Sequence, residues 1–358
     1  MKQNSDIFAP EGAFAQFMNR LDAERAFSGA VLVARGDEVL FERAYGMADE
    51  TRKLRNNSGT KFNMGSNNKM LTAVAIMQLV EQKKLALCDT VDKYDVAIPA
   101  TAAKSITIEQ LLTHTAGLGD IFTPAYMTDK DKIETVDELL PYIASQPLGF
   151  VPGTQYQYSS GGYVVLGAVI EKTSGEGYGS YIRCHITEPL GMADTGFYRK
   201  CDAVPNLAHG YVDSLFLPPD KKDDPLYPFY SAHARHRDND WFLGLVGQPC
   251  GGGYSTVRDM LVFSAAIRKH ILLPKEATEL MISGKVANPY GGKYAYGFAD
   301  NVLCGHRIVG HSGGAPGIAA DFDVLIDDGY TVITFSNRDG GTQKPRAPRE
   351  EILRLLYG

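Results

Sequence analysis

Ser66 and Lys69, in the run SNNK, are the first residues whose types and spacing can do chemistry. They open a segment, residues 66–82, in which Met70, Leu71, Ala73, Val74, Ala75, Ile76, Met77, Leu79 and Val80 are apolar almost all round. That pattern predicts a helix buried inside the protein, and its polar breaks and length exclude a membrane span. A spacing of three puts the serine and the lysine on one helix face. A helix N-terminus favours negative charge, which suits an alkoxide and later an oxyanion. An ammonium among apolar neighbours is costly to bury, and a neutral amine beside a hydroxyl activates a poor nucleophile. Taken alone the pair is a weak signal, because two fixed positions in four recur by chance, usually as solvated residues at a helix start. The buried helix around it gives it weight.

Two further runs belong with this pair. Tyr158 lies in PGTQYQYSSGG, residues 152–162. A tyrosine on a loop near serine and lysine can pass a proton to a leaving group, although on residue chemistry alone Tyr158 reads as an aromatic packed on the next helix. His311, Ser312, Gly313 and Gly314 lie in GHSGG, residues 310–314, at the end of a strand-like run. Glycines let the backbone approach a ligand closely, and N–H groups there can supply half of an oxyanion hole. The same run matches the nucleophile elbow GxSxG with Ser312 as nucleophile. That elbow needs a helix directly after the serine, then Asp and His further along the chain. Here APGI and a strand follow, and none of the eight histidines lies beyond His311. The elbow is therefore rejected. His233 and His236, in HARH, have no further ligand close by in sequence, so a surface pair is the simpler reading. No metal and no cofactor is expected. His114, in LLTHTAG (residues 111–117), reads as a histidine fixed by a hydrogen bond at a helix end rather than as a catalytic group.

The elements that must position these residues can be read along the chain. Residues 11–25 predict a short amphipathic helix. Residues 29–34 and 39–44 predict strands joined by the turn at Gly36-Asp37, a β-hairpin. Thr107 to Gln110 (TIEQ) and Thr256 to Asp259 (TVRD) fit capping boxes that open helices. An apolar helix spans residues 163–172 and stops near Gly175. Strands are predicted over 294–299, 307–311, 321–326 and 331–336, with a tight turn at Asp327-Asp328-Gly329, and a last helix from about residue 349 to 357. Residues 214–240 are proline-rich, charged and aromatic without a clear period. Long irregular stretches of this kind often serve function, and Phe229, Tyr230 and Trp241 are candidate walls of a pocket. Strands at both ends with helices between predict an α+β architecture: a discontinuous sheet domain (residues 1–69 and 241–358) and a mainly helical domain with active-site loops (residues 70–240).

Composition narrows the function classes. The chain has 358 residues, 44% hydrophobic and 22% charged, enough for a large core. A formal net charge of −6 argues against nucleic acid or an anionic membrane as partner. The five cysteines (Cys88, Cys184, Cys201, Cys250 and Cys304) are odd in number and widely spaced, and read as free thiols. No signal-peptide pattern is visible at the start, so a cytoplasmic location is the expectation. Nothing in the sequence speaks to an oligomeric state.

Together the runs at 62–74 (FNMGSNNKMLTAV), 111–118 (LLTHTAGL), 152–163 (PGTQYQYSSGGY), 189–192 (PLGM) and 310–314 (GHSGG) resemble, in order and spacing, the β-lactamase-related serine hydrolases. That group includes class C β-lactamases, D-alanyl-D-alanine carboxypeptidases, D-aminopeptidases and family VIII carboxylesterases. The resemblance covers most of the chain. It implies a β-lactamase-like fold, an antiparallel sheet flanked by helices beside a mainly helical region, with the active site between them. It implies Ser66 as the acylated serine, Lys69 as its partner and Tyr158 as general base and acid. The backbone N–H groups of Ser66 and Gly314 would form the oxyanion hole, and Ser160, His311, Ser312 and Gly313 would bind substrate. Ser160 departs from the asparagine of the family's Tyr-x-Asn motif, and its shorter hydroxyl suits an amide side chain less well. His311 departs from a lysine, and a neutral imidazole is a poorer partner for a carboxylate at pH 7. Both departures point to a carboxylesterase acting on small acyl esters, with a β-lactamase, a D-Ala-D-Ala carboxypeptidase or D-aminopeptidase, or a penicillin-binding protein without turnover as alternatives. The expected partner is a small-molecule ester or amide substrate.

Overall fold

The hairpin pattern near the N-terminus folds as its turn chemistry dictates. Strands β1 (Gly29–Arg35) and β2 (Glu38–Tyr45) pair antiparallel across Gly36-Asp37. In the computed structural model, which describes residues 6–212, 223–233, 237–340 and 344–358, this hairpin becomes the edge of a larger sheet. The C-terminal part adds β3 (Val286–Ala287), β4 (Lys293–Tyr294), β5 (Ala299–Leu303), β6 (His306–Ala315), β7 (Ile318–Leu325) and β8 (Tyr330–Ser336). Among the described residues the order is β2-β1-β8-β7-β6-β5-β4-β3, antiparallel throughout. The join between the two chain ends is the β1–β8 ladder, running from Gly29 opposite Ser336 to Arg35 opposite Tyr330.

Side chains alternate across a strand, and here both faces are covered. Val31, Val33, Leu325 and Val332 face one side, where helix α1 (Ala13–Ala23) lays Phe14, Met18 and Leu21 and the C-terminal helix lays Ile352 and Leu353. Leu32, Phe322, Val324, Ile333 and Phe335 face the other side, in one apolar cluster with the central helices. Chief among these is α2 (Asn68–Glu81), which packs on α3 (Ser160–Ser174). Next to the sheet lies α4 (Val257–Arg268), whose Ser264 hydroxyl is 2.6 Å from that of Thr331 on β8. The C-terminal helix, α5 (Ala347–Tyr357), is held to β7 by charge as well. Arg349 donates to both carboxylate oxygens of Asp323, at 2.5 and 3.1 Å.

Some expectations shift on folding. The predicted strand over 294–299 is two strands, β4 and β5. Ala295 N–H donates to Phe298 O at 2.7 Å and closes a turn between them, which β-propensity alone does not reveal. The strand expected over 307–311 continues to Ala315, so Ser312, Gly313 and Gly314 are strand residues paired to β7. The capping box at Thr107 is complete in both directions. At Thr256 only half forms. The Thr256 hydroxyl accepts from Asp259 N–H, while the Asp259 carboxylate turns to the Asp194 N–H and Thr195 hydroxyl, at 2.9 and 2.8 Å. Within the stretch 214–240, residues 227–232 form a short helix, while residues 213–222 and 234–236, including His236, lie outside the described residues. All five cysteines are free thiols. Among the described residues no helix is long and apolar enough to cross a membrane.

Phe335 lies at the junction of the sheet and the ribbon below the candidate site, fully buried with its ring 6.2 Å from that of Phe62. Phe335→Ala should cost about 3–5 kcal/mol, as large-to-small changes of buried aromatics do. Urea unfolding followed by circular dichroism checks this, and a loss below about 1 kcal/mol would mean the site collapses around the void.

Candidate active site

Met64, Gly65 and Ser66 form a link between a two-stranded ribbon and helix α2. The ribbon pairs Phe62–Asn63 with Tyr254–Ser255. Asn63 caps the turn by accepting from Gly65 N–H at 2.9 Å, and Met64 N–H donates to Gly253 O at 2.8 Å. Ser66 stands in the single 3-10 turn Gly65–Asn67 that runs into α2. Gly65 has φ +51°, and a Cβ there would lie 3.2 Å from Gly313 Cα and Gly314 N. A Cβ on Gly313 would lie 2.3 Å from Met64 O and 3.0 Å from Ser66 N. The serine turn and β6 therefore meet backbone to backbone, which glycine alone permits.

One helical turn on, Lys69 is fully buried. Its Nζ is 3.2 Å from Ser66 Oγ and donates to Cys250 O at 2.7 Å. It also lies over the rings of Tyr158 and Tyr163, 4.9 and 5.5 Å from their centroids, an arrangement that stabilises a desolvated cation. The loop that offers Cys250 O is itself clamped to α2. Asn68 Nδ2 donates to Gln248 O and Pro249 O at 2.9 and 3.2 Å, and the Thr72 hydroxyl donates to Pro249 O at 2.7 Å. Tyr178 completes the clamp, its hydroxyl 3.0 Å from Asn68 Nδ2 and 2.8 Å from Thr72 Oγ1. Burial pushes the Cys250 thiol up to about 11, against the pull of the Lys69 charge.

Tyr158 is half-buried on the loop before α3, and residues 114–120 hold that loop in place. Gln157 N–H donates to His114 O at 2.9 Å, Ser159 N–H to His114 Nδ1 at 3.2 Å, the Ser159 hydroxyl to Gly119 O at 2.9 Å, and Ser160 N–H to Asp120 Oδ2 at 3.1 Å. The His114 ring lies against Tyr158, centroids 4.2 Å apart. His114 follows the short helix Ile108–Leu112 with φ +58°, so the expected anchoring at a helix end is what the structure shows.

His311 is buried, and both ring nitrogens are taken by the protein. Nδ1 is 2.7 Å from Ser312 O, which only accepts, so Nδ1 carries the proton and Nε2 accepts from the Tyr294 hydroxyl at 2.9 Å. The direct substrate contact expected of His311 therefore has no free nitrogen to make it. Ser312 and Gly314 are exposed on β6, whereas Gly313 is buried beneath the serine turn. Ser66, Ser160 and Gly314 share the lining of one cavity of about 240 Å³ with Phe122, Tyr126, Tyr230, Phe242, Cys250 and Ile318. Of the three aromatic walls expected, Tyr230 lines this cavity. Phe229 and Trp241 instead pack on each other, centroids 5.7 Å apart, and His233 stacks on Trp241 at 5.0 Å. A larger groove of about 920 Å³, lined by Glu134, Lys172 and Tyr198 among others, does not include Ser66.

This fold, with an SxxK pair whose lysine is buried beside a glycine-rich strand, can be set beside known proteins. The Beta-lactamase family model matches residues 14–356. The chain belongs to the β-lactamase family. It is a serine hydrolase of the β-lactamase and penicillin-binding protein group. A penicillin-binding protein of Bacillus subtilis (strain 168) is 29% identical over 351 residues, covering 94% of this chain and 74% of that protein. The esterase EstB of Burkholderia gladioli is 32% identical over 320 residues, covering 81% of each. The crystal structure of a penicillin binding protein from Bacillus halodurans is alike in fold, with TM-score 0.80 at 24% identity over 95% of this chain and 98% of that one.

Several residues of this family member's site carry no signal in sequence. Cys250 bonds Lys69 and Tyr294 bonds His311, while Asn68, Thr72 and Tyr178 clamp the loop that offers Cys250 O, across separations of up to 181 positions. The apolar run of α2 does foretell that any polar group on it needs a partner, but not which.

Two outcomes follow. Gly313→Ala drives a methyl into Met64 O and should abolish hydrolysis, whereas Gly314→Ala meets only Arg346 Nη2 at 3.5 Å and should fold normally. Activity and thermal midpoints of the two variants check this, and an active Gly313→Ala enzyme would show that the turn can retreat. The second concerns pH. Burial, with the Lys69 charge next, lowers His311 from 6.5 to about 3, against the Ser312 carbonyl. Burial and Lys69 also hold His114 well below 6.5. The unfolded chain binds these protons and the folded one refuses them. Their stabilising effect is thus full above pH 6.5 and drains as pH falls towards 3. The thermal midpoint should drop between pH 7 and pH 5, less steeply in His311→Gln, and equal slopes would count against a neutral buried His311.

Proposed function

We propose that this serine hydrolase is a carboxylesterase that cleaves small, uncharged acyl esters through a Ser66 acyl-enzyme. The observation that supports the esterase reading is the cavity beside Ser66. Its described lining combines aromatic and aliphatic side chains with glycine backbone and a few neutral polar groups, and includes no Lys, Arg or His. A substrate carboxylate would lose its hydration there without gaining a cation, whereas an apolar acyl chain gains by burial.

In this reading Lys69 acts in its neutral form: Ser66 Oγ attacks the ester carbonyl, forming the Oγ–C bond while its proton passes through the Lys69 amine and Tyr158. The backbone N–H groups of Ser66 and Gly314 receive the oxyanion. The ester C–O bond then breaks, and Tyr158 returns the proton to the leaving alcohol. Water repeats the sequence on the acyl-enzyme and frees the acid. Lys69 Nζ, 3.2 Å from Oγ, is within reach of the proton it would take. Ser160 lines the cavity and offers a hydroxyl to the acyl group. The similarity to EstB supports the same class of substrate, and the similarity to a penicillin-binding protein makes β-lactam and D-amino-acid amides the competing class.

The test is hydrolysis of p-nitrophenyl butyrate beside a chromogenic cephalosporin. Ester turnover should exceed cephalosporin cleavage by about a hundredfold or more, and Ser66→Ala should lower it by at least about a thousandfold with the fold intact. A preference for the cephalosporin would overturn the esterase reading. Turnover retained in Ser66→Ala would overturn the nucleophile.

A further inference from the structure

The C-terminal segment brings an arginine to the back of the site. Arg346, at the start of α5, donates from Nη2 to Gly313 O at 3.0 Å. Its Nη1 bonds Asp321 Oδ1, and Asp321 is only 1% exposed on β7, directly opposite Ser312. Gly313 C=O and Gly314 N–H belong to one planar trans peptide, so they point in opposite directions. A guanidinium on the carbonyl side therefore leaves the N–H side to the cavity, whose lining Gly314 shares with Ser66.

We propose that Arg346 is a positioning residue that fixes and polarises the Gly313–Gly314 peptide as an oxyanion donor, with Asp321 holding the guanidinium in place. The proposal rests on the role given above to Gly314. Two physical needs converge on it. A peptide between two glycines has the widest choice of dihedral angles in any chain, and Gly313 must stay a glycine because Met64 O and Ser66 N leave no room for a Cβ. The β7 ladder holds this stretch of strand from one side, and the charge-assisted hydrogen bond at the carbonyl adds a restraint on the peptide itself. The same bond draws electron density towards the carbonyl oxygen and strengthens the N–H as a donor. Arg346 itself does not line the described cavity, so it reaches the reaction through the peptide and not through the substrate.

The experiment compares wild type, Arg346→Met, Arg346→Lys and Asp321→Asn by three readouts. These are the rate at which a fluorophosphonate labels Ser66, located by mass spectrometry of the digested protein; kcat and KM for p-nitrophenyl butyrate; and the thermal midpoint. The expected result for Arg346→Met is a fall of about 10- to 100-fold in labelling rate and in kcat, with KM within about twofold. Arg346→Lys should recover part of the loss, since an ammonium still reaches the carbonyl, and it stands in if the methionine variant does not fold. Asp321→Asn should give a smaller loss of the same kind. Labelling and kcat at the wild-type level in the folded variants would overturn the proposal, leaving Arg346 as a surface clasp. A rise in KM confined to an ester bearing a carboxylate, with kcat on the butyrate unchanged, would overturn it in favour of an anion anchor. If wild-type Ser66 is not labelled at all, the acyl-enzyme reading fails first and this inference with it.

Discussion

Everything at this site depends on how closely two pieces of backbone approach. The turn that carries Ser66 and the strand that carries Gly314 lie so near that neither Gly65 nor Gly313 can bear a side chain without displacing the other segment. Close packing of this kind leaves no slack, since interiors are as dense as organic crystals. The ribbon under the turn, the Asn63 cap and the loop at 248–250 fix one partner. The ladders of β6 to β5 and β7 fix the other.

Around that contact the protein buries the Lys69 amine and surrounds it with uncharged groups. Lys69 is buried among a carbonyl, a hydroxyl and two aromatic faces. The two nearby histidines are held neutral by burial and by that same charge. In a site of low effective dielectric the placement of one charge sets the field that the others feel. The hydrogen-bond roles of His311 follow from its neighbours: Ser312 O only accepts, so the proton sits on Nδ1, and Nε2 is spent on Tyr294. His311 is thus a packing and polarity element on the helical side of the sheet, not a second cation facing a ligand.

Much of the fold was legible in the sequence where local signals agree with one another. The hairpin at Gly36-Asp37, the buried helix after Ser66, the complete capping box at Thr107 and the helix ending at Gly175 each express a short-range rule of spacing or turn chemistry. The misread elements are those where a distant partner outbids the local one. The strand over 294–299 breaks because residues 295–298 close a turn against the core, and Asp259 leaves its capping role for Asp194 and Thr195. At the site, Ser66, Lys69, Tyr158 and Gly314 stood out by residue type and motif, whereas Cys250, Asn68, Tyr294 and Arg346 did not. The latter group makes its contacts through a backbone carbonyl, an amide clamp, a hydroxyl and a guanidinium, and none of these has a characteristic spacing to its partner.

The sequence by itself determined the secondary elements, the family and the residue types available for chemistry, because periodicity, turns and motif order are written at short range. Only the tertiary structure decided which of those residues meet, which side of His311 faces the protein, and what lines the cavity beside Ser66. Those outcomes depend on contacts between segments far apart in the chain, such as Lys69 with Cys250, 181 positions on, and Gly29 with Ser336 across the β1–β8 ladder. Their geometry is fixed by packing between whole elements, and no local pattern encodes it.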